Sequence, residues 1–172
     1  KWEQQDLAID NYKRSLSAKS SILVQIKLAN AFMKNKNYQE SITEYSNLLK
    51  NRLSNYQNVQ VYEGLGDTYK AINEASRSVF NYQKGLEIAK KHKIIPKITN
   101  LNSKIGDVYA QGGAVEDATM YYDNSLSLSK KEGKKLILNK LCQKDEPIQL
   151  KGRVARLFRR PNRETTRMQN PH

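Results

Sequence analysis

The stretch that decides the fold is VYEGLGDTYKAINEASRSVFNYQKGLEIA, which runs from Val61 to Ala89. A second version, LNSKIGDVYAQGGAVEDATMYYDNSLSLS, runs from Leu101 to Ser129. Both contain an aliphatic residue, Gly, Asp, any residue and Tyr. Both then place a small residue, an aromatic residue and another small residue at the same offsets. The sequence therefore contains a repeated structural unit.

The small residue of this unit recurs at a regular distance along the chain. Gly66 and Gly106 are 40 residues apart, and Ala29 precedes Gly66 by 37 residues. From each of them an aromatic residue follows at plus three, a small residue at plus twelve and an aromatic residue at plus sixteen. These residues are Phe32, Ser41 and Tyr45, then Tyr69, Ser78 and Tyr82, then Tyr109, Ala118 and Tyr122. A partial fourth copy, with Ala8, Tyr12 and Ser15, opens the chain.

These offsets predict pairs of helices. A small residue and an aromatic residue three or four positions later lie on the same helical face, where the small residue lets a neighbouring helix approach closely. A helix pair of this kind leaves an apolar stripe that only the next pair covers, so a period of this length indicates a stack. The predicted helices span about 2–18, 20–35, 38–52, 56–72, 75–91, 95–112 and 115–132.

The repeated unit resembles the tetratricopeptide repeat. The first half of that motif is matched by KLANAF, GLGDTY and KIGDVY, and the second half by AIDNYKRS, SITEYSNL, SVFNYQKG and ATMYYDNS. The resemblance covers about residues 5–132, and the long spacing is similar to the 40-residue repeats of Pins-type adaptors and bacterial Rap-type regulators. It implies an all-α, right-handed superhelix of antiparallel helix pairs. It also implies a protein–protein scaffold or adaptor, or a subunit of a larger assembly.

The expected organisation has three parts. Residues 1–132 form the solenoid, with a partial repeat at 1–18 and further repeats at about 20–52, 56–91 and 95–132. Residues 133–150 form a capping helix or linker, and residues 151–172 form a basic tail. The chain begins inside a structural unit, so we expect it to be part of a longer protein.

The resemblance also assigns a partner-binding groove, because the first helix of each pair lines the concave face in this family. Carried over position by position, the polar groove residues are Lys27, Asn30, Lys34, Glu63, Asp67, Lys70, Asn100, Lys104, Asp107 and Gln111. Asp67 and Asp107 favour a protein or peptide partner with basic or donor groups. In the alternative interpretation they are solvated, or paired with Lys70 and Lys104 at helical spacing. The repeated tyrosines are expected to be core residues.

One specialised groove of the family is not expected here. Its chaperone-type members hold a C-terminal carboxylate with several Lys, Arg and Asn residues at set positions. Only Asn30 and Lys104 match that set. Binding of the C-terminal tails of heat-shock chaperones is therefore not predicted.

The last 40 residues, which include the basic tail, are the main source of the chain's charge. The net charge is +13, from 30 Lys and Arg against 17 Asp and Glu, and residues 133–172 hold 11 of the basic residues and three of the acidic ones. Val154, Leu157 and Phe158 are spaced for one face of a short basic helix. Its candidate contact residues are Arg153, Arg156, Arg159, Arg160 and Arg163. The open alternatives are a solvated or capping segment, a partner-docking helix, contact with nucleic acid or an anionic membrane surface, and a self-ligand in the groove.

Signals for catalysis are lacking in the sequence. The chain has one cysteine, Cys142, and two histidines, His92 and His172, with no metal-ligand spacing and no phosphate-binding glycine loop. We therefore expect no enzymatic activity, no cofactor, no metal and no small-molecule substrate. A single cysteine and the lack of an apolar run of about 18 residues favour an intracellular location, cytoplasmic or nuclear.

Overall fold

The computed structural model describes residues 2–19 and 21–131, which form seven α-helices and no β-strand. The helices are α1 (Trp2–Ala18), α2 (Ile22–Lys34), α3 (Tyr38–Leu48), α4 (Asn55–Ala71), α5 (Ala75–Lys91), α6 (Ile95–Gln111) and α7 (Val115–Lys131). The predicted capping helix and basic tail lie outside the described residues.

The helices pack as a stack of pairs. Helices α2 and α3, α4 and α5, and α6 and α7 form pairs, each joined by a turn of three residues. Helix α1 packs on α2, and among the first helices α2 contacts α4 and α4 contacts α6. The predicted all-α solenoid of helix pairs is confirmed. Its core lies between successive pairs, as in the cluster of Val59, Tyr82, Leu86, Leu101 and Ile105.

Four of the turns share one backbone conformation. The middle residues Lys36, Asn73, Lys93 and Gly113 all have positive φ, between 53° and 78°. Such a residue reverses the chain directly after a helix, and glycine adopts this conformation without a steric penalty. The connection between α3 and α4 differs, because α4 starts at a capping box in which Ser54 and Gln57 bond each other's backbone.

Gly66 and Gly106 leave space for an aromatic ring to pack against the helix backbone. A Cβ added to Gly66 would overlap the ring of Tyr82, and one added to Gly106 would lie 2.8 Å from two ring carbons of Tyr122. Both tyrosines are buried. In the α4/α5 and α6/α7 pairs, the ring of the second helix therefore lies directly on the backbone of the first and holds the two helices together.

The small residue at plus twelve has a polar role as well as a steric one. The buried hydroxyl of Ser78 donates to the Gly66 carbonyl oxygen at 2.8 Å, and Ser41 donates to the Ala29 carbonyl oxygen at 2.9 Å. A buried hydroxyl without a partner would be destabilising. Within the first two complete repeats, this hydrogen bond fixes the second helix against the first at the same repeat position.

The glycine-to-ring contact gives a direct prediction for stability. We expect Gly66→Ala to lower the free energy of unfolding by about 1–3 kcal/mol, because overpacking at Tyr82 exceeds the gain in helix propensity. The matched control is Gly112→Ala, since a Cβ there meets its nearest atom at 3.6 Å. Urea unfolding of both variants measures the difference. Equal stabilities would contradict the packing described here.

Candidate functional site

The ten predicted groove residues lie on α2, α4 and α6, and we call the surface that they share the first-helix face. Lys27, Lys34 and Gln111 are exposed, and the other seven are half-buried. The five predicted tail arginines lie outside the described residues. The structure brings six of the ten residues, those on α4 and α6 other than Gln111, into two contacting groups.

Glu63 is the centre of the first group. Its carboxylate accepts hydrogen bonds from Lys97 Nζ at 2.6 Å and from Asn100 Nδ2 at 2.6 Å. Lys104 Nζ lies 2.9 Å from the same carboxylate. One glutamate on α4 thus binds three successive turns of α6, because positions 97, 100 and 104 share one side of that helix.

Asp67 joins this group to the inside of the helix pair. Its carboxylate accepts hydrogen bonds from Lys104 Nζ at 2.7 and 2.6 Å and from the hydroxyl of Tyr82 at 2.6 Å. The Tyr82 ring is the one that lies on Gly66. Asp67 therefore accepts a hydrogen bond from Tyr82 of its own helix pair and others from Lys104 of the next helix pair.

Asp107 repeats part of this arrangement one pair later. It accepts a hydrogen bond from the Tyr122 hydroxyl at 2.9 Å and forms an ion pair with Lys70 at 3.6 Å. The alternative that pairs Asp67 with Lys70 and Asp107 with Lys104, within one helix, therefore names the wrong lysine for each aspartate. Asp67 pairs with Lys104 and Asp107 with Lys70, between α4 and α6, because the two helices lie side by side with these residues on the facing sides.

Burial and charge act in opposite directions in this network. Burial alone would raise the pKa of the Glu63 carboxyl, but Lys104 and Lys97 outweigh burial and hold that pKa below its ordinary value. Burial would lower the pKa of Lys104, but Asp67 and Glu63 raise it. Burial, followed by the charge of Asp67, raises the pKa of Tyr82, so its hydroxyl keeps the proton that it donates.

The charges of this network cancel. It contains three carboxylates, Glu63, Asp67 and Asp107, and three ammonium groups, Lys70, Lys97 and Lys104. The expected preference for a basic partner depended on two uncompensated aspartates. Each of them has a lysine partner, so that reason for a basic preference is removed.

The α2 part of the first-helix face is different. Helix α2 contains no acidic residue. Lys27 and Lys34 are exposed, and neither forms an ion pair with any side chain that the structure describes. Asn30, between them, donates its amide to the Ile26 carbonyl oxygen at 2.9 Å. The uncompensated charge of this face among the described residues is therefore positive.

Tyr45 departs from the pattern of the other two tyrosines. It is fully buried, but its hydroxyl has no hydrogen-bond partner within the described residues. Asn30, at the position of Asp67 and Asp107, bonds its own helix instead. The Tyr45 ring lies against Gly64 of the next repeat, where an added Cβ would overlap it. Gly64 is thus a packing position and does not line the groove.

The sequence pattern missed two contributors to the network. Lys97 is not one of the ten predicted groove residues, although it precedes Asn100 by one helical turn. Its ammonium group also lies 5.4 Å from the ring centre of Tyr56. Tyr82 was expected to be a core residue, and it is one, but its hydroxyl reaches the first-helix face.

The described residues contain no helix that is both long and apolar enough to cross a bilayer. The same part of the chain brings together no group of three His, Cys, Asp or Glu side chains that could hold a metal ion.

The match to a family model agrees with the helix-pair geometry. The sequence model of the family described as "Tetratricopeptide repeat" matches residues 59–92, which cover most of α4 and all of α5. No curated protein matches the sequence. A solved structure, described as "Crystal structure of MamA", is similar with a TM-score of 0.40 and 18% identity, covering 76% of this chain and 91% of that chain. A similarity of this extent carries no argument about the ligand.

The network predicts how stability depends on pH. The pKa of Glu63 is lower in the folded protein than its ordinary value of 4.5. The charged carboxylate therefore stabilises the folded state at pH values above 4.5, and this stabilisation is lost as the pH falls through the pKa of the folded state. We expect Glu63→Gln to lower the free energy of unfolding by about 1–3 kcal/mol at pH 7, because two lysines lose their partner. The difference from the wild type should shrink as the pH falls below 4.5.

Urea unfolding between pH 7 and pH 2 measures this difference. The matched control is Glu87→Gln, since Glu87 is exposed and its ion pair with Lys84 is 3.8 Å long; we expect a change within about 0.5 kcal/mol. If both variants behave alike, or if the Glu63 difference persists unchanged into acid, the network does not stabilise the fold.

Proposed function

We propose that this chain, a tetratricopeptide-repeat protein, is an interaction scaffold that holds an extended, acidic segment of a partner protein on its first-helix face. Repeats of this family are in general non-catalytic units that bind other proteins. The single observation that carries the proposal is the distribution of charge on this face. Its carboxylates are each compensated by a lysine, whereas Lys27 and Lys34 are not.

The cross-linked half of the face supports a rigid platform. Glu63, Asp67 and Lys104 tie α4 to α6 through contacts of 2.6–2.9 Å. A surface that is fixed before binding loses less entropy when a ligand binds. The ion pair of Lys70 with Asp107 is 3.6 Å long, and the Lys70 ammonium group has N–H groups that can donate hydrogen bonds to a ligand's carbonyl or carboxylate oxygens.

The α2 half supports the choice of an acidic ligand. Lys27 and Lys34 are seven residues apart on one helix, so their Cα atoms are separated by about 10 Å on the same side. A peptide in the extended polyproline II conformation advances about 3.1 Å per residue with three residues per turn, so its side chains at i and i+3 lie on one side, about 9 Å apart. Two carboxylates three residues apart in such a segment therefore match the two lysines. This spacing favours a partner with acidic residues at i and i+3.

Peptide selection on the full chain tests the proposal. Random twelve-residue peptides displayed on phage are selected against the immobilised protein, and synthetic copies are measured by fluorescence anisotropy. We expect the enriched sequences to carry Asp or Glu at i and i+3. We expect Lys27→Glu with Lys34→Glu to weaken their binding about tenfold, because two attractive charge pairs become repulsive.

The matched control is Lys90→Glu with Lys91→Glu, which makes the same change in net charge on exposed residues at the end of α5. We expect that control to bind the same peptides within about twofold. Enrichment of basic peptides, or equal losses in the two double variants, would contradict an acidic ligand on α2.

A further inference from the structure

A cleft between two successive helix pairs is separate from the first-helix face. It lies between the first half of α5, the end of α6 and the turn into α7, with a volume of about 440 Å³. Its apolar lining includes Ala75, Val79, Phe80, Val108 and Tyr109. None of the ten first-helix-face residues lines it, so a function of this cleft goes beyond the proposed binding of a partner segment.

One glycine contributes to the opening of the cleft. Gly112 lies in its lining, six residues after Gly106, and the residue at the same repeat position one pair earlier is Ile72. A Cβ on Gly112 would meet only two carbonyl oxygens, at 3.6 and 3.7 Å. A larger side chain at position 112 can therefore enter the cleft without displacing the backbone.

The walls of the cleft are held in place and present apolar surface. The rings of Tyr109 and Tyr121 stack with their centres 5.6 Å apart, and Gln83 donates to the Tyr121 hydroxyl at 3.2 Å. Phe80, in the lining, is 57% exposed. Met120, at the same repeat position on α7, is 50% exposed. Large exposed apolar side chains at equivalent positions of neighbouring repeats, one of them in the cleft lining, indicate a docking site for another apolar segment.

The chain beside the cleft is acidic. Glu74 directly precedes the lining residue Ala75, and Glu116 and Asp117 follow the lining residue Ala114 within three positions. All three are exposed, and none forms an ion pair within the described residues. Two cations of α5 are adjacent in sequence to lining residues. Arg77 follows Ser76 and lies over the Tyr69 ring, and Lys84 follows Gln83, lies over the Phe80 ring and pairs with Glu87. An occupant with an apolar centre and basic flanks complements this surface.

We propose that residues 153–160 of this same chain, RVARLFRR, dock in the cleft. Leu157 and Phe158 supply the apolar groups, and the surrounding arginines supply charges opposite to those of Glu74, Glu116 and Asp117.

The connection is long enough for this docking. Helix α7 starts beside the cleft at Val115 and ends at Lys131, about 24 Å away at 1.5 Å per residue. The 26 residue steps from Lys131 to Leu157 reach about 80 Å when extended, which exceeds the return distance. A segment on the same chain also has a high effective concentration at the cleft, which favours it over a separate partner.

Site-specific crosslinking in the full chain tests the proposal. The photoreactive residue p-benzoylphenylalanine is incorporated at position 120, and crosslinked peptides are mapped by mass spectrometry. We expect crosslinks within one chain to the peptide that contains residues 154–158, with a yield that does not depend on protein concentration. The control site is position 43, which is exposed at the same repeat position on α3 and should give no such crosslink.

Variants separate docking from chance proximity. We expect Gly112→Ile to reduce the crosslink yield at least fivefold by filling the cleft, whereas Gly112→Ala keeps it within about twofold, since one methyl group leaves most of the volume open. Leu157→Ser with Phe158→Ser removes the apolar anchors, leaves the cleft intact and should reduce the yield equally. Circular dichroism verifies that each variant remains helical.

Several results would overturn the proposal. Crosslinks that join two chains would assign the cleft to a second copy. An absent crosslink, or a yield that neither Gly112→Ile nor the double serine variant changes, would show that residues 153–160 do not dock there.

Discussion

The contact of the Tyr82 ring with the Gly66 backbone, completed by the hydroxyl bond to Asp67, is the interaction on which the rest of the structure depends. Gly66 has no side chain, so the ring lies directly on the helix. That position brings the phenol oxygen to within 2.6 Å of the carboxylate of the next residue. The same carboxylate binds Lys104 of the following pair. One residue triplet thus determines both the packing within a pair and the contact between pairs.

This constraint also explains why the aspartates of the repeat are poor candidates for free ligand-binding charges. Each accepts a hydrogen bond from a tyrosine of its own pair and contacts a lysine on the neighbouring first helix. Their charges contribute to stability, and replacing them would alter the frame together with any binding surface. Among the side chains that the structure describes on the first-helix face, the charges without an ion-pair partner are the exposed Lys27 and Lys34 of α2, a helix whose sequence contains no acid.

Much of the fold was predictable because its determinants are local. The spacing of Gly66 to Tyr82 and of Gly106 to Tyr122 requires only helical periodicity and a short turn, and both are visible in one sequence. The pairing of charges was not predictable in this way. Helical spacing predicts pairs three residues apart, Asp67 with Lys70 and Lys104 with Asp107. In the structure the pairs are 37 residues apart and join two helices, Asp67 with Lys104 and Lys70 with Asp107. Periodicity within one helix does not encode the register of two neighbouring helices.

The most direct test of this account is a pair of double-mutant cycles measured by urea unfolding at pH 7. The first combines Asp67→Asn with Lys104→Gln, and the second combines Asp67→Asn with Lys70→Gln. The account predicts a coupling of about 1–3 kcal/mol in the first cycle and a value within about 0.5 kcal/mol of zero in the second. A larger coupling for Lys70 than for Lys104 would mean that Asp67 pairs within its own helix, and the cross-helix network would be wrong.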